Sequence, residues 1–373
     1  MLLSDTMVDV YLEKMAKVMT NYSLNIKKGQ EILIVGGIEG EPLMGEVYKQ
    51  VLQLGAHPTM YPTFYHDIET YYKYANDDQL KHVNPLMKFV YENFDGMIQV
   101  ISQKNTKNLT NVDPKRIALR NSSYIDIVRT ISEREARGEY QWVLTEYPTD
   151  SIAQEASMSL TDFKEFMFKA CLVDREDPVS EWKAISEKQQ KICDWLSERE
   201  EFRYVGLDTD MTFSIKGRKW INCDGRLNFP DGEVFTCPIE DSVNGTIRFT
   251  YPLIYQGNEV EDVTLTFKDG VVSDYSAAKG EKLLKEIIAT DEGSNKVGEI
   301  AIGTNYGIDK FTKNILFDEK MGGTVHLALG LSAEPTIGKN ISSIHLDILK
   351  DMRYGGKIYA DGELFYENGK FLI

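Results

Sequence analysis

Thr324–Gly330, TVHLALG, is the stretch whose pattern settles the architecture of the chain. Side chains on a strand alternate between two faces. Val325, Leu327 and Leu329 therefore take one face, and His326 shares the other with Ala328 and Gly330. Ser343–Leu349, SIHLDIL, repeats the design: Ile344, Leu346 and Ile348 point into a core, while His345 and Asp347 stand side by side on the opposite face. In Glu299–Gly303, EIAIG, Glu299 lies with Ala301 and Gly303, against Ile300 and Ile302. In Gly232–Pro238, GEVFTCP, Glu233 is the single ionisable group of an apolar run. Each segment carries ionisable groups on one face, mostly beside small residues that leave room.

Working outward, the second half of the chain reads as β-rich. Six Asn-Gly or Asp-Gly pairs fall beyond residue 220, against one, Asp95-Gly96, in the first 200 residues. Such pairs favour hairpin turns. Val263, Leu265 and Phe267 alternate before Asp269-Gly270, and one helix is expected around Leu283, Leu284, Ile287 and Ile288. The first half alternates strands and helices instead. Glu31–Val35, Met97–Ile101 and Gln141–Thr145 are strand candidates. Pro42 opens a helix whose Met44, Val47, Val51 and Leu54 recur at helical spacing before a capping Gly55. Asp177-Pro178 caps a long amphipathic helix bearing Trp182, Ile185, Ile192 and Trp195. The expectation is an α/β N-terminal domain (1–200) with a mostly parallel sheet, followed by a β-rich α+β domain (201–373) that carries the chemistry. No internal repeat or low-complexity segment is found.

The 373 residues include 42 Lys+Arg and 58 Asp+Glu, a net charge of −16. An acidic chain without a basic run repels phosphate backbones, so nucleic-acid partners are not expected. No apolar stretch approaches the roughly 18–20 residues of a membrane span. The start, MLLSDTMVDVYLEKM, has its apolar residues at helical spacing and no positive residue before Lys14, unlike a signal peptide. Cys171, Cys193, Cys223 and Cys237 are scattered without C-x-x-C spacing, which reads as four buried, unpaired thiols in a reducing cytoplasm. The G-x-x-x-x-G-K-[ST], H-E-x-x-H and G-x-S-x-G motifs are absent. Gly36–Gly40 lacks the G-x-G-x-x-G spacing and sets Glu39 and Glu41 where a phosphate would bind, so it reads as a tight turn. His57, His66 and His82 have no carboxylate at a telling spacing and read as structural or surface residues.

An isolated buried carboxylate is costly and implies a partner. One such group could be satisfied by a main-chain donor or an arginine. An H-x-D pair on one strand face, with a second histidine on a similar strand, suits divalent cations better. Glu233, Glu299, Glu319 and Asp347 would balance two M²⁺ ions, with His326 and His345 neutral.

NFPDGEVFTCP, GEIAIGTN, FDEKMGGTVHLALG, GKNISSIHLDIL and the terminal ADGELFYENGKFL, in this order, resemble the aminopeptidase T and aminopeptidase S family of dinuclear metallo-exopeptidases. LNIKKGQEILIVGG and GAHPTMYP are similar to the family's opening, so the resemblance spans nearly the whole chain. It implies metal ligands at Glu233, Glu299, His326, His345 and Asp347, with a further acidic ligand at Glu319, or alternatively at Asp318. It also implies a homodimer with enclosed active sites. The family often has a tyrosine seven residues after the first histidine; this chain has Ala333 there, leaving Tyr306 or Tyr354 as substitutes. The expected function is a metal-dependent aminopeptidase acting on peptides with a free N-terminus. Two divalent ions (zinc, cobalt or manganese) would activate a water, and Glu299 or Glu319 would shuttle its proton. The alternatives are a metal- or peptide-binding homologue with impaired turnover, and a dimetal hydrolase of another amide or ester.

Overall fold

The computed structural model describes residues 5–255, 257–334 and 336–373. Residues 1–4 of the N-terminal segment discussed above lie outside it; a helix follows at Asp5–Val18. The chain forms two compact units, Met1–Trp182 with Gly225–Pro230, and Lys183–Asp224 with Asp231–Ile373. The division falls inside the Pro178–Ser197 helix, not at residue 200. Trp182 packs edge-on against Phe229 in the first unit, whereas Ile192, Cys193 and Leu196 belong to the core of the second. One amphipathic helix thus serves two cores, which its uniform periodicity conceals.

In the first unit, strands His57–Thr63, Glu31–Gly37, Gly96–Ile101, Gln141–Glu146 and Asn228–Phe229 lie side by side in that order, all parallel. Ile32, Leu33 and Ile34 are consecutive and all buried, as expected for a strand covered on both faces. His57–Thr63, at the edge, carries Pro58 and Pro62, which an interior strand could not accept without losing ladder bonds. The helix Glu41–Gln53 buries Met44, Val47 and Val51, and Gly55 adopts a φ of +75° just beyond it. The Gly36–Gly40 turn closes as one turn of 3₁₀ helix, Ile38–Gly40.

The second unit stacks two antiparallel sheets. One has eight strands, ordered Val271–Ser276, Thr264–Lys268, Asn244–Arg248, Thr209–Ser214, Glu201–Gly206, Lys357–Ala360, Glu363–Glu367 and Lys370–Phe371. The other has five: His345–Asp351, Thr324–Gly330, Val297–Gly303, Glu233–Thr236 and Ile221–Cys223. Val234, Ile300, Ile302, Val325, Leu327, Leu329 and Ile348 of the smaller sheet share one core with Phe202, Tyr204, Phe213, Leu265 and Phe365. The helix Glu281–Ile288 adds Leu284 and Ile287. Asp269-Gly270, Asp361-Gly362 and Asn368-Gly369 all have positive φ at both positions and close hairpins. Asp224-Gly225, Asp231-Gly232 and Asn244-Gly245 do not, because only their glycines are left-handed. The pair permits a hairpin; the neighbouring strands decide whether one forms.

Candidate metal centre

The five-stranded sheet turns one face to the core, so alternation places Glu233, Glu299, His326, His345 and Asp347 on the other. Antiparallel register then fixes their spacing. Ala328 stands between Glu299 and Asp347, Ala301 lies opposite His326, Gly303 opposite Glu233, and Gly330 opposite His345. The small residues of EIAIG and TVHLALG are therefore the floor between the ionisable groups. At Gly330 the requirement is strict: its φ is +103°, and a Cβ there would meet the Ile344 carbonyl oxygen at 2.1 Å.

The functional atoms converge. His326 Nε2 lies 3.4 Å from Glu233 Oε2, 3.6 Å from Glu299 Oε1 and 3.9 Å from Asp347 Oδ1. His345 Nε2 lies 3.2 Å from Glu299 Oε2 and 3.5 Å from Asp347 Oδ1. The two oxygens of Glu299 thus face different histidines. Two triads result, Glu233–Glu299–His326 and Glu299–His345–Asp347, each with its ligand atoms within 4.8 Å of one another and with Glu299 in common.

Electrostatics show what this arrangement costs without a cation. Burial pushes the Glu233 carboxyl up to about 7, despite Lys320 and His326 beside it. Burial also opposes ionisation of Glu299 and Asp347, but the adjacent imidazoles of His345 and His326 outweigh it and hold both below the usual carboxylate range. Burial alone would depress His345, yet Asp347 and Glu299 carry it up to about 11; His326 is raised by Glu299, Glu233 and Asp347. In the bare protein the imidazoles thus hold protons where the carboxylates demand positive charge. Even so, Glu233 Oε2, Asp347 Oδ1 and His326 Nδ1 are buried without a hydrogen-bond partner. His345 Nδ1 is 2.8 Å from the Leu331 carbonyl. Donation there fixes the ring and turns Nε2 toward the carboxylates, the arrangement usual for a metal-ligating histidine. Carboxylate and imidazole donors with unpartnered buried atoms fit divalent cations.

Glu319, expected with the ligands, belongs to neither triad. It follows the short helix Ile315–Asp318, and its Oε1 pairs with Lys320 Nζ. Asp318, the alternative, is buried and raised to about 7, its Oδ1 accepting from the Thr312 amide (2.7 Å) and hydroxyl (2.8 Å). Tyr306 donates to the Gly369 carbonyl at 2.7 Å, and Tyr354 is 85% exposed beside a different cavity, so neither phenol is held at the triads. His57, His66 and His82 are exposed.

The sequence reading missed three residues. Lys320 is 0% exposed, with Nζ 3.9 Å from Glu233 Oε1, placing a fixed positive charge between Glu233 and Glu319. Its position directly after Glu319 gave no hint of this. Cys223 and Asp231 form a further group with Glu233, ligand atoms again within 4.8 Å. Asp231, two residues before Glu233, was legible as a same-face neighbour. Cys223 reaches Glu233 only through cross-strand pairing, and it is the one cysteine of the four that is not buried; all four are unpaired.

Comparisons with known proteins identify the relatives of the chain. The family model described as thermophilic metalloprotease (M29) matches residues 8–371. Aminopeptidase 2 of Geobacillus stearothermophilus is 30% identical over 359 residues, covering 89% of this chain and 86% of the relative. Aminopeptidase T of Thermus aquaticus is 26% identical over 377 residues, covering 90% and 91%. The solved structure of wild-type AmpT from Thermus thermophilus superposes with a TM-score of 0.82 at 21% identity, covering 97% of this chain and 99% of that one, and so shares its fold. The matched length, the α/β unit followed by the β-rich unit, and a metal-suited cluster on one sheet face lead to one conclusion: the chain belongs to the M29 family of thermophilic metalloproteases.

Proposed function

We propose that Glu233, Glu299 and His326 hold one divalent ion, and Glu299, His345 and Asp347 a second, in the active site of this metal-dependent aminopeptidase. Its substrates are peptides with a free N-terminus. The observation that carries the assignment is Glu299, a buried carboxylate whose two oxygens each face a different histidine and thereby join two triads. When bound, the ions polarise the scissile carbonyl and lower the pKa of a water toward neutrality, and the donor set suits zinc, cobalt or manganese.

The chain's own residues account for the rest. The Leu331 carbonyl holds the His345 ring with Nε2 facing inward. Lys320 offsets part of the charge of Glu233 and Glu319. Glu299 is committed to both triads, which leaves Glu319 as the proton shuttle. Its Oε1 is held by Lys320, so Oε2 accepts the proton from the attacking water and returns it to the leaving amine. A homodimer in a reducing cytoplasm completes the proposal; the four unpaired cysteines favour that compartment, and no helix among the described residues is long and apolar enough to cross a membrane.

The test strips the purified chain with a chelator and titrates it with Zn²⁺, Co²⁺ or Mn²⁺. Bound metal is measured by elemental analysis, and cleavage with aminoacyl chromogenic amides and short peptides. Activity is expected to return as up to two ions bind. Glu299→Gln is expected to lose metal, whereas Glu319→Gln keeps it and loses about 10²–10⁴ in rate. A fully loaded chain that cleaves no substrate refutes the aminopeptidase assignment, and metal loss in Glu319→Gln makes that residue a ligand instead.

A further inference from the structure

A cavity of about 220 Å³ lies against the outer edge of the His345–Asp351 strand, at its His345–Asp347 end, and is bordered by His345 and Asp347 themselves. Leu253, Ile254, Phe311, Ile315 and Leu346 give it apolar walls. Besides His345 and Asp347, its charged wall residues are Lys313 and Asp318. Lys313 Nζ is 2.6 Å from Glu259 Oε1, and the Asp318 carboxylate accepts from Thr312. An acidic guest would find the Lys313 ammonium already paired, and a basic guest only a carboxylate whose Oδ1 is already held by two Thr312 donors, so either would lose its hydration with little compensation. The volume suits one side chain and falls below the roughly 300–1,000 Å³ of sites that take whole ligands.

The main chain beside the cavity is equally informative. The Ile344 carbonyl accepts from the Leu331 amide, so even-numbered residues of this strand bond toward Thr324–Gly330. Odd-numbered residues face the other way: the Leu349 carbonyl accepts from the Thr250 and Tyr251 amides. His345 and Asp347 share that outward orientation, and on that edge their main-chain groups have no partner among the described residues. An open strand edge is a template for an extended peptide, which binds by main-chain hydrogen bonds while adjacent pockets read its side chains. Here the edge and the pocket meet at two of the proposed ligands.

We propose that this cavity receives the side chain of the substrate's N-terminal residue and selects neutral apolar side chains of about leucine size, with the peptide running along the His345–Asp347 edge. The proposal rests on the aminopeptidase assignment above. In an aminopeptidase, the N-terminal residue is the one whose carbonyl is attacked, so its side chain must lodge beside the ligands.

The experiment compares kcat/KM for alanyl, leucyl, glutamyl and lysyl p-nitroanilides on metal-loaded wild type, Ile254→Trp and Ile315→Trp. Ile315 is 46% exposed, so its replacement can narrow the pocket without disturbing a core. Wild type is expected to prefer leucyl over alanyl by on the order of 100-fold, with the charged substrates poorer still. Each tryptophan is expected to cut the leucyl-to-alanyl ratio at least tenfold, with metal content unchanged. The ratio is independent of the active fraction, so partial misfolding cannot mimic the result. A ratio unmoved in both variants, or a wild-type preference for glutamyl or lysyl substrates, overturns the pocket while leaving the aminopeptidase assignment intact. A metal-loaded wild type that cleaves none of the four overturns both.

Discussion

Replacing Glu233 with glutamine should stabilise the metal-free protein, although it removes a proposed ligand. Burial raises this carboxyl from its ordinary 4.5 to about 7. An acid whose pKa rises on folding binds more protons in the native state between those two values, so stability falls as pH climbs through that window and the penalty is complete above it. The shift corresponds to on the order of 3 kcal/mol at pH 8. Glutamine is close in shape to the protonated acid and carries none of that penalty. In excess chelator at pH 8, Glu233→Gln should therefore melt above the parent by roughly 6–12 °C, taking about 2–4 °C per kcal/mol for a unit of this size. At pH 5, where the native carboxyl is already protonated, the gain should shrink to under about 1 kcal/mol. With metal present the order should reverse, because the parent gains binding free energy that the variant has largely lost. Calorimetry of both proteins, with chelator and with metal, at pH 5 and pH 8 supplies the comparison. A metal-free variant that melts below its parent at pH 8, or a gain that does not shrink toward pH 5, would refute the view that the site stores destabilisation which cations relieve.

Gly330→Ala should cost several kcal/mol, because it forces a side chain onto a φ of +103° and into the Ile344 carbonyl; thermal melting should fall and metal content with it, since Gly330 sets the His345 register. Ile300→Ala, on the core side of the same sheet and 0% exposed, should cost about 2–5 kcal/mol in denaturant unfolding with metal stoichiometry unchanged, because the cavity forms on the opposite face. Asp291 accepts from the Gly293 amide, the Ser342 hydroxyl, and the Ser343 amide and hydroxyl, which pins the loop leading into His345 and, with the Ser343 amide foremost, holds its carboxyl down to about 2. Its stabilisation is present above the ordinary value of 3.8 and disappears as pH falls through 2. Asp291→Asn should therefore lower the melting temperature at pH 6, and the difference from the parent should close by pH 2; a constant difference would show that the carboxylate is not what matters.

Much of this molecule is legible in local pattern. The helix at Glu41–Gln53, the strand at Glu31–Gly37 and the alternation of Thr324–Gly330 follow from residue periods of 3.6 and 2, which depend only on near neighbours. Alternation alone sorted His326, His345, Asp347, Glu299 and Glu233 onto site-facing positions, and it set small residues on the same faces. What it could not supply was cross-strand register, a relation between residues up to 114 positions apart. Register places Ala328 between Glu299 and Asp347, joins the two triads at Glu299 and brings Cys223 to Glu233. Glu319 shows the same limit from the other side. It sits in a short irregular segment without a period, so its partner could not be read from its neighbours, and that partner is the residue immediately following it. The chemistry available to each strand was therefore written in the sequence, because a strand's two faces are a local property. Which groups come within reach of one another, and which are held apart by a buried lysine, was decided only when non-local hydrogen bonding locked the strands side by side.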